Sequence, residues 1–133
     1  MDERIQHALS RGHTIDITTT GRRTGLPRRI EIVFHNIDGR IVISGSPRAD
    51  RTRAWIHNLA ADPHLTFHLK RSATADLPAT ARIVTDETER RQIADWIVAN
   101  AWRNQDPDQM TAYAPMIEIT FDDADAVDPS TDV

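Results

Sequence analysis

The run "RRIEIVFHNIDGRIVIS", residues 28–44, limits the possible folds more than any other stretch. Ile30, Ile32 and Phe34 recur at every second position with Glu31 and His35 between them, the period of a strand that buries one face. Asp38-Gly39 is a two-residue hairpin signal, and "RIVISGS" is the returning strand. Around this hairpin stand other strand-like runs. "HTIDITTT" is β-branched, with Ile15 and Ile17 on one face. "HLTFHLK", "ATADLPATARIVT" and "MIEITFD" follow later, and Pro78 in the second of these belongs at an edge or bulge.

Two segments change period. Trp55, Ile56, Leu59 and Ala60 recur at helical spacing, which predicts a helix over 51–61, capped by Asp50 and closed by Pro63. Ile93, Trp96, Ile97 and Ala101 predict a second over 87–102, opened by a capping-box pattern of Asp86 and Glu89. Residues 2–10 have the makings of a third. A polar loop holding Tyr113 is expected before the last strand. The order β-β-β-α-β-β-α-β predicts an α+β, mainly β fold: an antiparallel six-stranded sheet curled into a small barrel, with two or three helices. It does not suit a doubly wound sheet. Residues 1–122 are expected to form this single domain, and 123–133 an acidic tail without apolar periodicity.

The chain has 133 residues and no cysteine, which excludes thiol catalysis, disulfides and thiolate metal sites. "MDERIQHALS" lacks the apolar stretch of a signal peptide, and no run reaches the roughly 18 apolar residues of a membrane span. The expectation is a cytoplasmic protein, monomer or homodimer, with peripheral membrane contact left open. Net charge is −4, yet Arg22 to Arg53 holds eight arginines against Glu31, Asp38 and Asp50. A local basic zone on an acidic chain suits one anionic ligand rather than nucleic acid, for which aromatic stacking residues are also scarce.

The densest part of that zone is "TTTGRRTGLPRR", 18–29. Gly21 and Gly25 permit positive φ, so backbone amides there can converge on an anion, and Arg22, Arg23 and Arg28 can add bidentate bonds. A turn with solvated arginines fits the pattern equally well. It is neither a P-loop nor a dinucleotide fingerprint. The six histidines read as scattered surface side chains, and His64 and His68, four apart on a strand, lack a carboxylate at a metal-site spacing. No metal is expected. There is no G-x-S-x-G elbow. Asn58, beside an apolar helical stripe, would need a hydrogen-bond partner.

"TTTGRRTGLPR" followed by "WIHNLAADP" at 55–63 resembles the deazaflavin-dependent nitroreductase family, a branch of the split β-barrel flavin and deazaflavin oxidoreductases. The resemblance runs from about Thr14 to Lys70 and more weakly beyond. It implies a split β-barrel, coenzyme F420 with its phosphate and polyglutamate tail, and hydride transfer to an electron-poor small-molecule acceptor such as a quinone, an enone or a nitro compound. It places Arg22, Arg23, Thr24 and Arg28 on the phosphate and acidic tail. It places Ser44, Gly45, Ser46, Ala54, Trp55 and Ile56 along the deazaflavin ring, and Asn58 in a motif position. At Ser46 the family often has lysine and then two glycines; here the run is "SPRAD", with Arg48 as the available substitute. Tyr113 is the candidate proton donor, water being the alternative. An FMN-dependent relative and a non-catalytic carrier of a deazaflavin or lipid-like ligand remain as other readings.

Overall fold

In the computed structural model, which describes residues 2–48 and 53–122, six antiparallel strands close into a barrel. They are β1 (Thr14–Thr20), β2 (Pro27–Ile37), β3 (Arg40–Ser44), β4 (His64–Lys70), β5 (Thr74–Ile83) and β6 (Met116–Phe121). Around the barrel they run β1-β2-β3-β6-β5-β4. The final strand is therefore inserted between β3 and β5, and β4 closes the ring on β1. The β2–β3 hairpin turns at Asp38 and Gly39, both at positive φ (52° and 92°), as the Asp-Gly pair predicts. Pro78 stands where β6 runs out: its carbonyl accepts from the amide of Asp122, just past the last β6 residue. Its missing N–H points to that same side, where the ladder ends.

Four helices accompany the strands: α1 (Glu3–Leu9), α2 (Ala54–Ala61), α3 (Glu87–Asn100) and α4 (Pro107–Tyr113). The last corrects the expectation of a polar loop. Asp106 accepts from the Asp108 amide and Pro107 fills the first turn, a local start signal with little apolar periodicity behind it. Tyr113 thus ends a helix. α2 begins at Ala54 with Arg53 at its cap position and no side-chain cap bond, later than the expected start at 51. Asp50 and the tail at 123–133 lie outside the described residues. The α3 cap forms as predicted, Glu89 N–H donating to Asp86. The Glu89 carboxylate does not return to the cap; it binds Arg82 and Arg40, which hold its pKa down to about 2.

The core is in two parts. Ile15, Ile17, Phe34, Phe67 and Ile117 fill the barrel, with Trp55 and Leu59 of α2 closing one mouth. His13, Phe34, Phe67 and Phe121 form a continuous edge-to-face chain, with centroids 4.8, 5.3 and 5.2 Å apart. A second core lies outside the barrel, where α3 and α4 pack Ile93, Ile97 and Met110 on Ile37, Val42 and Met116.

That second layer overturns the surface reading of the histidines. His35 faces outward from β2, as its alternation predicts, but α3 covers this part of the outer face. It is 3% exposed, edge-on to Trp96 and Trp102, and its Nε2 has no hydrogen-bond partner among the described residues. Burial lowers its pKa from 6.5 to about 4. The neutral ring is therefore favoured by folding. As pH falls through 6.5 the unfolded chain takes up a proton that the folded chain refuses until about pH 4. At about 1.4 kcal/mol per pKa unit, up to about 3 kcal/mol of stability is lost across that window. Urea midpoints measured from pH 7 to pH 4 are expected to fall steeply in the wild type and less steeply in His35→Leu. His68 is also buried: its Nδ1 lies 2.7 Å from Asp76 and its Nε2 2.7 Å from the Thr18 hydroxyl. His64 is exposed, as expected.

Candidate functional site

The basic turn between β1 and β2 is built by hydrogen bonds that the sequence motif alone does not show. Gly21 N–H donates to the Leu26 carbonyl and Gly25 N–H to the Gly21 carbonyl. Leu26 N–H donates to the Thr24 hydroxyl, and Arg22 N–H to the Asn58 amide oxygen at 3.1 Å. Of the two glycines only Gly25 sits at positive φ (72°). Gly21 is required for space instead: a Cβ there would lie 2.8 Å from the Thr24 hydroxyl. Most amides of the turn are thus satisfied internally, leaving those of Arg23 and Thr24. The expected backbone nest is reduced to two donors, and the positive charge must act through side chains. Arg22, Arg23 and Arg28 are exposed and make no ion pair among the described residues, whereas Arg29 is tied to Asp16 at 2.9 Å.

Asn58 is the hinge of this arrangement. It is buried on α2, accepts from Arg22 N–H and donates to the Thr19 hydroxyl at 3.2 Å. Its carboxamide locks the turn to the helix that closes the barrel mouth. The partner it was expected to need is therefore the basic loop itself. Asn58→Ala would leave the buried Thr19 hydroxyl and the Arg22 amide short of partners, at a cost of about 1–3 kcal/mol. Chemical denaturation should show that loss, and the turn should become more susceptible to proteolysis after Arg22 or Arg23.

Three cavities converge on the first residues of α2. The largest, about 580 Å³, is bordered by Arg22, Arg23, Thr24, Arg28, Trp55 and Asn58, with Ala54 at its rim. The second, about 330 Å³, is bordered by Ser44, Gly45, Ser46, Arg53 and Trp102. The third, about 380 Å³, has Arg53, Ile56, Arg90, Tyr113 and Met116 on its walls. The predicted residues are thus not one contiguous lining. Ala54 and Trp55 face the arginines, Ser44 to Ser46 face the second cavity, and Ile56 with Tyr113 face the third. Arg48 is exposed on the loop after β3 and borders none of the three.

Ser44 is fully buried and its hydroxyl donates to the Pro115 carbonyl at 2.8 Å, which ties β3 to the start of β6. Arg53, which motif reading missed, donates through Nη2 to the Ser46 carbonyl at 2.6 Å and borders both smaller cavities. The cation beside Ser46 therefore comes from the start of α2. Trp102 and Arg90 were missed too. Helical spacing marks Trp102 only as the end of a helix, and nothing local marks an arginine that meets its cavity through tertiary packing. Among the described residues no group of histidines and acids is placed to hold a metal ion, and no helix is long and apolar enough to cross a membrane.

This geometry suits a ligand with an anionic end and a flat body. Three guanidinium groups without an ion pair among the described residues share one cavity with Trp55, as a phosphate or a carboxylate chain requires. The adjoining segment Ser44–Ser46 offers mostly backbone to a second, narrower space.

Comparison with known proteins agrees. The model of the family described as F420H(2)-dependent quinone reductase matches residues 2–117. Among solved structures, the chain is similar to an F420-H2 dependent reductase, FDR-A: TM-score 0.60, 18% identity, covering 80% of this chain and 93% of that one. The heme storage protein HutZ from Vibrio cholerae gives a TM-score of 0.64 at 13% identity, over 91% of this chain and 89% of that one. A chain described as a domain-swapped dimer gives 0.59 at 18% identity, over 80% and 79%. At such identities these structures establish the barrel fold.

Proposed function

The chain belongs to the F420H(2)-dependent quinone reductase family, whose cofactor is coenzyme F420, and from that premise we propose that it reduces a quinone by hydride transfer. The observation that carries the reading is the trio Arg22, Arg23 and Arg28, unpaired at the rim of a cavity floored by Trp55. The donor set matches a phosphate followed by a string of carboxylates better than a neutral ligand. Bound in its reduced form, the deazaflavin supplies a hydride, chemistry that no side chain here provides.

What the chain contributes is position and exclusion of water. Trp55 and Ala54 form a wall beside the arginine cradle. Gly45 keeps the backbone of the second cavity open: a Cβ there would approach Pro115 to 3.2 Å. Arg53 fixes the Ser46 carbonyl and so the path of that segment. Tyr113 borders the third cavity and is the side chain we assign to return a proton to the reduced acceptor, with water as the alternative. Enones and nitro compounds are secondary candidates, since they accept a hydride at a similarly electron-poor centre.

The reading is tested by titrating purified protein with coenzyme F420 and, separately, with FMN, following ligand fluorescence at low salt. Dissociation constants well below about 1 mM for F420 and no saturable FMN binding are expected. Preferential FMN binding would replace this reading with a flavin-dependent one. Binding of F420 without oxidation of its reduced form by any quinone would make the protein a carrier.

A further inference from the structure

Arg90 is a half-buried guanidinium with no carboxylate partner among the described residues. Its Nε donates to the Thr111 carbonyl at 2.9 Å, Nη1 to Val84 at 3.1 Å and Nη2 to Ala114 at 2.7 Å. Three carbonyls hold the group rigid but bring no formal negative charge. Two of its five N–H bonds have no acceptor among the described residues. The cavity of about 380 Å³ that it borders has Arg53 as a second cation and, among the described residues, no acid in its lining. Burial lowers the Arg90 pKa. The neighbouring arginines are paired instead: Arg40 and Arg82 with Glu89 and Glu118, and Arg91 with Asp95 and Asp108. The rest of the described lining is mainly apolar, with Ile56, Ile83, Pro115 and Met116, and adds the hydroxyls of Thr85 and Tyr113.

A rigid, uncompensated cation set in an apolar wall is a recognition device for an anion attached to a flat hydrophobic body. Its surroundings give it low dielectric, and its carbonyl anchors remove the entropy cost of ordering it on binding. Arg53 borders both this cavity and the Ser44–Ser46 space, so a ligand here lies beside the predicted ring site.

We propose that this cavity takes the acceptor, and that it selects aromatic acceptors bearing an anionic group, a carboxylate or sulfonate, with Arg90 as the charge partner. Naming the ligand as the acceptor rests on the reductase reading; the preference for an anion does not.

The test compares 1,4-naphthoquinone-2-sulfonate with 2-methyl-1,4-naphthoquinone, by quenching of tryptophan fluorescence in the full chain without cofactor. The absence of cysteine removes thiol adducts as a complication. In wild type the sulfonate should bind about tenfold more tightly at low salt, the value of one charged hydrogen bond. That gap should shrink in high salt and collapse in Arg90→Gln. Thr85→Asp, an exposed position on the same cavity, puts a carboxylate beside Arg90 without touching its three anchors, and should collapse the gap as well. The variant Arg23→Ala/Arg28→Ala should keep it, which separates this cavity from the cradle. Equal affinities in wild type, or a gap that survives both Arg90→Gln and Thr85→Asp and vanishes with the cradle arginines, would overturn the proposal. If the gap is present but F420 does not bind, the anion site stands and the reductase reading falls; the converse result does the opposite.

Discussion

Replacing Arg23 and Arg28 together by alanine is expected to weaken coenzyme F420 binding by two orders of magnitude or more while leaving the fold intact. Each charged hydrogen bond lost costs about 1.5–3 kcal/mol, or about tenfold to a hundredfold. The effect should be large because the turn has few other donors. The amides of Gly21, Arg22, Gly25 and Leu26 are already engaged, so only those of Arg23 and Thr24 remain to offset the lost side chains. The fold should be unaffected because both arginines are exposed and make no ion pair. Raising the salt from about 20 to 500 mM should weaken wild-type binding far more than binding to the variant, since exposed charges are screened within a few ångströms at the higher value. Fluorescence titration of F420 at both salts, with a thermal melt as control, reads all of this. Unchanged affinity in the double variant would show that the tail is held elsewhere.

The second large effect is on stability. Phe67→Ala should cost about 3–5 kcal/mol, the range for deleting a buried aromatic ring that leaves a cavity. Phe67 is wholly buried at the centre of the ring chain, touching Phe34 on one side and Phe121 on the other. Its strand position also lies opposite Ile17 on β1 and Leu77 on β5, so the hole would open where β4 closes the barrel. Loss of two edge-to-face pairs adds about 0.5–1.5 kcal/mol each beyond the buried area. Phe67→Leu, which keeps most of the volume, should cost less, and Phe121→Ala less again because that ring is only partly buried at a strand end. Urea unfolding of the three variants gives the order. If Phe67→Ala and Phe121→Ala prove equal, the ring chain is not the centre of the core.

Much of the fold was legible from local patterns. The hairpin at Asp38-Gly39, the strands on either side of it and the helix after Asp86 follow from periodicity and turn chemistry, which act over a few residues. The ring order was not legible. No local signal says that β6 inserts between β3 and β5, because that pairing is set by which edges remain open once α2 and α3 have crossed the barrel. The fate of His35 was hidden for the same reason. Alternation puts it on the outer face of β2, as it does Glu31, but only the docking of α3 decides that one is buried against Trp96 and Trp102 while the other stays in water. α4 escaped because its start signal, Asp106-Pro107, is not followed by an apolar stripe.

The candidate site divides in the same way. The residue types at the cradle, and their order along the chain, are written in "TTTGRRTGLPRR" and "WIHNLAADP". Their division of labour is not. Asn58 spends its carboxamide on Arg22 N–H and Thr19, so it positions the loop. Arg53, rather than Arg48, grips the Ser46 carbonyl. Arg90 and Tyr113, far apart in sequence, face one cavity only because α4 folds back on α3. The sequence by itself determined the strands and the long helix after Asp86, the turn at Asp38-Gly39 and the concentration of positive charge, since each depends on residues within a few positions of one another. The tertiary structure decided which outer faces are covered, which amides of the basic turn are already spent and which cations meet a cavity without an acid, because those depend on contacts between segments tens of residues apart.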